Sequence, residues 1–207
     1  MIPVHVLALR YLNNCGPALL KGLKVPENLP SLGLITTDCD DATYIALDAA
    51  TKASEVEAVY GASFYAGAAN ASTPNAGEVI GILAGKTPGA VESGMEAALS
   101  TLKQVGFEDV RGVPCLHAVI SSAGSFLSKE AGVPEGSAIA YLIAPPLEAI
   151  YALDAAMKAA DVKLSRLYAP PTATNFGGGL LSGTQSACAM AAEAFYKAVE
   201  EVAARPR

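Results

Sequence analysis

Hydrophobic and polar positions predict short strands alternating with helices, in an order that occurs twice along the chain. Short apolar, partly β-branched runs are typical of strands and occupy residues 4–9, 31–36, 56–60, 78–84, 116–120, 138–144, 162–168 and 179–182. One or two helical turns are predicted at residues 17–23 and 125–131. Each half of the chain therefore predicts the order β-α-β-α-β-β-α, which is an α/β (α+β) fold.

Four longer helices are predicted from apolar residues at helical spacing. Asp40 and Asp41 are placed to cap the first of them, because a carboxylate can accept bonds from free backbone N–H groups. Pro146 stands at the first position of the matching helix in the second half, where its missing N–H does no harm. The other two are predicted to end at Gly106 and to span residues 184–202, so that each half finishes with a helix.

The two halves are also similar in sequence. Residues 46–56 read ALDAATKASEV and residues 152–162 read ALDAAMKAADV, so eight of eleven positions are identical. Three similar blocks follow one another in the same order in both halves. The sequence therefore predicts a tandem duplication, because chance similarity does not preserve block order over such a distance.

An earlier block extends this match toward the start of each half. Gly16 and Leu19 correspond to Gly124 and Leu127, and the tripeptide Val-Pro-Glu follows in both copies. We therefore divide the chain into a first domain, residues 1–107, and a second domain, residues 108–207.

Composition and charge exclude several classes of protein. The chain has 207 residues, 52% of them hydrophobic, and a formal net charge of −6. No basic stripe is present, so we predict no nucleic-acid partner. No signal peptide pattern and no apolar run of about 20 residues is present, so we predict no membrane partner. Four widely spaced cysteines without a CxxC pair predict reduced thiols.

The sequence offers no constellation of catalytic groups, and we predict that the chain is not an enzyme. Its two histidines are His5 and His117, each on a predicted strand. No HExxH, P-loop, dinucleotide-binding or GxSxG motif occurs. We therefore expect no catalytic residue, no catalytic cofactor and no metal site.

One acidic cluster, residues 38–41, has two interpretations. It either places favourable charge at the N-terminus of a helix or forms a carboxylate pocket for a small cation. The second copy has prolines at the corresponding place, so a pocket there would belong to one copy only.

Two loops are rich in glycine and alanine, residues 65–70 and 174–179. They are either ordinary mobile loops or a pair of gates around a hole, since such loops can hold alternative conformations at a modest cost in free energy.

Long stretches of the chain resemble a known family. They are SLGLITTDCDDATYIALDAATKASEVEAVYGASFYAGAA, PNAGEVI, AIAYLIAPPLEAIYALDAAMKAADVKL, YAPPTATNF and LSGTQSAC. Together they closely resemble the tandem-domain shell proteins of ethanolamine-utilisation bacterial microcompartments, the EutL type, along essentially the whole chain.

This resemblance implies a structural shell protein built from two circularly permuted microcompartment-shell (BMC) domains. It implies a homotrimer that forms a pseudohexameric tile, packed edge to edge with other shell proteins in the microcompartment shell in the cytoplasm. A gated central pore would pass metabolites or a cofactor, and small acidic pores would bind ethanolamine. Cobalamin is implied as a bound or transported ligand. The alternative is a small-molecule binding or regulatory module of a related microcompartment.

The resemblance also assigns residues to both kinds of pore. It places ethanolamine at Asp40, Glu78 and the backbone carbonyl of Phe107, with Asp41 as a second-rank candidate. It places the central gate at Tyr65, Gly67, Ala68, Asn70, Asn175, Phe176, Gly177 and Gly178. The chain departs from the family pattern around residues 105–113, which are shorter here.

Overall fold

The computed structural model describes residues 1–65, 77–170 and 172–207. The domains predicted from the repeat, residues 1–107 and 108–207, divide the chain by sequence similarity and stay a prediction. The structure contains two compact units whose boundaries are close to these but not identical to them.

Two compact units share the chain, and each takes in a short segment distant in sequence. The N-terminal unit consists of Pro3–Gly106 and Gly124–Leu127. The C-terminal unit consists of Met1–Ile2, Phe107–Ala123 and Ser128–Arg207.

The N-terminal unit is built on a four-stranded antiparallel sheet with the order β1-β2-β4-β3. Its strands are β1 (Val6–Leu12), β2 (Ser31–Thr37), β3 (Val56–Ser63) and β4 (Val79–Gly85). Its helices are α1 (Pro17–Leu23), α2 (Asp40–Ala53) and α3 (Pro88–Leu102). Thr37 at the end of β2 pairs with Val79 at the start of β4, which brings the beginning of α2 and the residues before β4 to one edge of the sheet.

The C-terminal unit is built on a five-stranded antiparallel sheet with the order β5-β6-β7-β9-β8. Its strands are β5 (Glu108–Val110), β6 (Val113–Ile120), β7 (Ala138–Ala144), β8 (Val162–Tyr168) and β9 (Gly177–Gly183). Its long helices are α5 (Pro146–Ala159) and α6 (Gln185–Ala204). The short helix α4 (Ser125–Ala131) begins in the N-terminal unit and ends in the C-terminal one.

Strand order is the same in the two units once β5 is set aside, since β6-β7-β9-β8 repeats β1-β2-β4-β3. The predicted element order and the α/β class are therefore confirmed. Strand β5 was not predicted. It forms a hairpin with β6 through Arg111 and Gly112, both at positive φ, and arginine is an unusual residue for such a turn.

Small side chains let the helices of the C-terminal unit lie close to its sheet. Ala149, Ala152 and Ala156 form the inner face of α5 and are fully buried. Phe195 of α6 is also fully buried and belongs to the same apolar cluster. Because protein interiors are packed as densely as organic crystals, larger side chains at these alanines would push the helix off the sheet.

Several predicted boundaries were wrong, including the end of one helix, the cap of another and the extent of a glycine-rich loop. Helix α3 ends at Leu102 rather than Gly106, because the amides of Gln104 and Val105 both turn back to the Thr101 carbonyl. Cys39, not Asp40 or Asp41, occupies the N-cap of α2, and the two aspartates lie in its first turn. Gly177–Gly183 forms a strand, so the glycine-rich loop predicted over residues 174–179 ends at Phe176.

Within the described residues, no helix combines the length and apolar character that crossing a membrane requires.

Candidate functional site

A cluster of acidic residues, which we call the acidic pocket, lies where β2 passes into α2. Asp40 and Asp41 occupy the first turn of α2, and Glu78 immediately precedes β4. The backbone N–H of Glu78 donates to the Thr37 carbonyl oxygen at 2.9 Å, which holds Glu78 next to the start of α2. The structure therefore brings together three of the four residues predicted to bind ethanolamine.

Gly77 makes this approach possible. A Cβ atom at this position would lie 1.9 Å from the Thr37 carbonyl oxygen and 2.9 Å from the Thr36 hydroxyl oxygen. No side chain fits in that space, so only glycine allows the chain to enter β4 at this point.

Two buried threonines shape the backbone under the pocket. The Cys39 N–H donates to the Thr37 hydroxyl at 3.1 Å, which holds the N-cap residue of α2 in place. The Thr43 hydroxyl donates to the Cys39 carbonyl at 2.8 Å and lies 2.7 Å from the Thr37 hydroxyl. These bonds satisfy the buried backbone N–H and carbonyl of Cys39.

Asp40 is a nearly buried carboxyl group. Its residue is 7% exposed, and its Oδ1 accepts a bond from the Asp41 N–H at 2.9 Å. Burial raises the pKa of Asp40 above its ordinary value, although a hydrogen bond from the Ser63 side chain and backbone bonds act in the opposite direction. A cationic partner beside this carboxyl group would favour its ionised form.

Glu78 is the most perturbed acid of the pocket. Burial, followed by the negative charges of Asp40 and Asp38, raises its pKa to about 7. Two carboxylates in one partly buried place disfavour each other's ionised form. Near neutral pH the pocket therefore holds a carboxyl that readily exchanges its proton, and an ammonium group would favour the ionised state.

Asp38 differs from its neighbours because His5 already holds it. The His5 N–H donates to Asp38 Oδ1 at 2.7 Å, and the His5 ring Nδ1 lies 2.6 Å from Asp38 Oδ2. Sequence reasoning treated His5 as an isolated strand residue and missed this pair. The antiparallel pairing of β1 with β2 creates it, and no local sequence signal marks it.

Phe107 belongs to the C-terminal unit. Its carbonyl oxygen accepts a bond from the Ile2 N–H at 2.6 Å, and its ring packs on Phe176 with centroids 5.2 Å apart. Its predicted role as a carbonyl ligand stays a prediction.

The first predicted gate falls mainly outside the described residues. Gly67, Ala68 and Asn70 lie between residues 65 and 77, in the part of the chain that the structure does not describe. Tyr65, the last described residue before it, is 57% exposed.

The second predicted gate lies at the start of β9. Asn175 has a φ of 64° and its N–H donates to the Thr172 carbonyl at 3.2 Å, which makes a tight turn before Phe176. Gly177 and Gly178 belong to the strand and pair with Ala144 and Ile143. The segment is thus a turn leading into a strand, and its role as a gate stays a prediction.

Among residues 1–65, 77–170 and 172–207, no group of three or more histidine, cysteine or acidic side chains is arranged to hold a metal ion. Burial, together with the neighbouring acids, raises the pKa of the Cys39 thiol, so this buried cysteine behaves as a neutral side chain.

Comparisons with known proteins agree with the fold. Residues 31–112 match the model of the BMC domain. The bacterial microcompartment shell protein EutL of Clostridium perfringens is 54% identical, over 100% of this chain and 97% of its own length. EutL of Salmonella typhimurium is 44% identical, over 100% of this chain and 96% of its own.

A solved structure extends the likeness to three dimensions. The ethanolamine utilization protein EutL of Leptotrichia buccalis superposes with a TM-score of 0.96 at 52% identity, covering 99% of this chain and 96% of its own. The chain belongs to the bacterial microcompartment shell proteins and, within them, to the EutL family. The predicted family, the tandem BMC fold and the place in the microcompartment shell are thereby confirmed, and the chain's role is that of a structural shell protein.

Proposed function

We propose that three copies of this chain form a pseudohexameric shell tile in which the acidic pocket of each copy binds ethanolamine. The observation that supports ethanolamine as the ligand is that Asp40 and Glu78 lie close together and that burial raises the pKa of both acids. The tandem repeat supports the tile, because three chains then supply six similar edges that close into a ring.

Ethanolamine suits the pocket by charge and by hydrogen bonding. At neutral pH its amine is an ammonium ion, which carboxylates bind through short charge-assisted hydrogen bonds. Its hydroxyl group can donate a hydrogen bond to a carbonyl oxygen. The corresponding helix of the second repeat begins with Pro145 and Pro146 instead of acids, so the proposal assigns one such pocket to each chain.

Calorimetric titration with ethanolamine tests the pocket directly. We expect Asp40→Asn to weaken binding at least tenfold, because it removes a charge that faces the ammonium group. Asp161→Asn is the matched control, since Asp161 is exposed and lies in the C-terminal unit. Equal affinity of Asp40→Asn and the unaltered chain would contradict the assignment, whereas the tile would be unaffected.

The proposal also gives the tile a central pore, gated by Tyr65, Gly67, Ala68 and Asn70 and by residues 175–178. Metabolites or a cofactor would pass through it, with cobalamin as a ligand that is bound or carried rather than used for catalysis. Co-sedimentation of cobalamin with assembled tiles tests this role. The absence of bound cobalamin at high concentration would contradict the proposal that the tile binds cobalamin.

A binding or regulatory module is the second candidate, favoured by the presence of acids in one repeat only. The two candidates differ in assembly, because a module of this kind binds ethanolamine equally well as a single chain. A chain that binds ethanolamine but never assembles would support the module.

A further inference from the structure

Asp48 of α2 is a fully buried carboxylate that holds the start of α4. Its Oδ2 accepts a bond from the Gly124 N–H at 2.9 Å, and its Oδ1 accepts one from the Leu127 N–H at 2.8 Å. Lys52, one turn later on α2, lies 3.1 Å from Oδ2. The first repeat thus captures the beginning of the second repeat's short helix within the N-terminal unit.

The contact is close enough to require glycine. A Cβ atom on Gly124 would lie 2.4 Å from the Thr51 hydroxyl oxygen and 2.8 Å from the Asp48 carbonyl oxygen. The Thr51 hydroxyl also accepts a bond from the Ser125 N–H at 3.2 Å. Helix α2 therefore meets α4 backbone to backbone, and any side chain at position 124 would separate them.

Both halves of this contact have a counterpart elsewhere in the sequence, one in α5 and one in α1. Asp154 and Lys158 of α5 correspond to Asp48 and Lys52, and they form the same i,i+4 ion pair at 2.5 Å. The Asp154 side chain is nevertheless 61% exposed, whereas that of Asp48 is fully buried.

The other half of the contact is the start of α1. Gly16 corresponds to Gly124 and occupies the N-cap of α1, where no side chain caps the helix. A Cβ atom on Gly16 would meet nothing within 4 Å in the described part of the chain, so no close contact there requires glycine.

Two pairs of corresponding apolar side chains show the same contrast between burial and exposure. Leu127 is 1% exposed, but its counterpart Leu19 on α1 is 50% exposed. Ile45 of α2 is 5% exposed, but its counterpart Tyr151 on α5 is 47% exposed. At both positions one residue is buried and its counterpart in the other repeat is exposed.

We propose that α5 of one copy docks on the start of α1 of a second copy, with Asp154 accepting hydrogen bonds from the Gly16 amide and from the Leu19 amide, which in the single chain donates to the Gly16 carbonyl at 3.0 Å. The new contact repeats, between chains, the one that Asp48 makes within the chain. It joins two different surfaces, so copies add head to tail, as a ring of three chains requires. This inference rests on the proposed tile, for which it names the joint between subunits.

Analytical ultracentrifugation over a concentration series tests the joint. We expect Asp154→Ala and Gly16→Leu each to raise the concentration needed for assembly at least tenfold, since one removes two charge-assisted bonds and the other blocks close approach. Glu193→Ala is the matched control for the first, because Glu193 forms an exposed i,i+4 ion pair with Lys197 at 3.0 Å. Gly89→Leu is the control for the second, because its Cβ would also meet nothing within 4 Å.

The outcomes separate the joint from the tile. Assembly of the unaltered chain that both variants leave unchanged would overturn the joint while the tile stands. A single-chain species at every concentration would overturn both.

A cross-link gives an answer even if one variant folds poorly. Met157 corresponds to Thr51, whose hydroxyl lies closest to the Cβ position of Gly124. We expect the double variant Gly16→Cys, Met157→Cys to form disulfides between copies on mild oxidation, seen as a ladder on a non-reducing gel. The pair Gly89→Cys, Met157→Cys is the control and should stay single. No ladder from the first pair in assembled protein would contradict the joint.

Discussion

The backbone of Glu78 is held from both sides, with Thr37 accepting from its N–H at 2.9 Å and Phe64 donating to its carbonyl oxygen at 2.8 Å. Two neighbouring strands thus fix an acid whose pKa is raised to about 7. A charged group is kept in a place that disfavours its charge, which is typical of binding sites rather than of structural acids.

Replacing Glu78 by glutamine should stabilise the ligand-free fold at high pH. The folded chain raises the pKa of Glu78 from 4.5 to about 7, so it favours the protonated acid. The stability that this group contributes is full below about pH 4.5 and is lost as the pH rises through 7. Glutamine imitates the protonated acid at every pH.

We therefore expect Glu78→Gln to gain about 1 kcal/mol in free energy of unfolding at pH 8, after allowance for solvent screening, and almost nothing at pH 4.5. Urea unfolding at the two pH values measures this. Glu27→Gln, at an exposed acid of the same unit, is the control. A gain of equal size at both pH values would show that the effect is not protonation.

Ethanolamine binding should release protons. Because the ammonium group favours the ionised form of Glu78, binding near pH 7 expels the proton that about half of the molecules carry there. The heat of binding should then depend on the ionisation enthalpy of the buffer, and affinity should fall below pH 7. Buffer-independent heats would contradict the role of Glu78 in the pocket.

Gly77→Ala should damage the pocket through the backbone. Its Cβ would lie 1.9 Å from the Thr37 carbonyl oxygen, so β4 must shift and carry Glu78 with it. We expect a loss of about 2–3 kcal/mol in stability, together with weaker ethanolamine binding. The control is Gly22→Ala, where a Cβ meets nothing within 4 Å. Unchanged affinity of Gly77→Ala for ethanolamine would show that binding does not depend on the position of Glu78.

The two related aspartates should differ sharply in their effect on folding. Asp48→Ala leaves the Gly124 and Leu127 amides without their buried acceptor, so we expect a loss of about 3 kcal/mol. Asp154→Ala removes only an exposed ion pair and should cost less than about 0.5 kcal/mol. Both are compared by urea unfolding in the Gly16→Leu background, where assembly should not contribute. Similar losses would contradict the contrast between the two repeats.

Periodicity and repetition were enough to predict most of the fold. The bounds of α1 and α4 agree with the prediction, and Pro146 begins α5 as its fixed φ requires. Such features depend on residues that are close in sequence, so a single sequence was enough to predict them.

Features that depend on pairing between strands were not predictable in this way. The His5–Asp38 pair forms only when β1 lies beside β2. Gly178 looked like part of a loop, but it is a strand residue that pairs with Ile143. Glycine is required there because a Cβ atom would lie 1.9 Å from the Leu142 carbonyl oxygen. A glycine required by a neighbouring strand and a glycine in a loop have the same local pattern.

Native mass spectrometry of the purified chain tests the closed tile most directly. With a chain mass of 21.0 kDa, the account predicts a dominant species of three chains that persists on dilution to micromolar concentration. A single chain, or an open series of species without a preferred size, would contradict it.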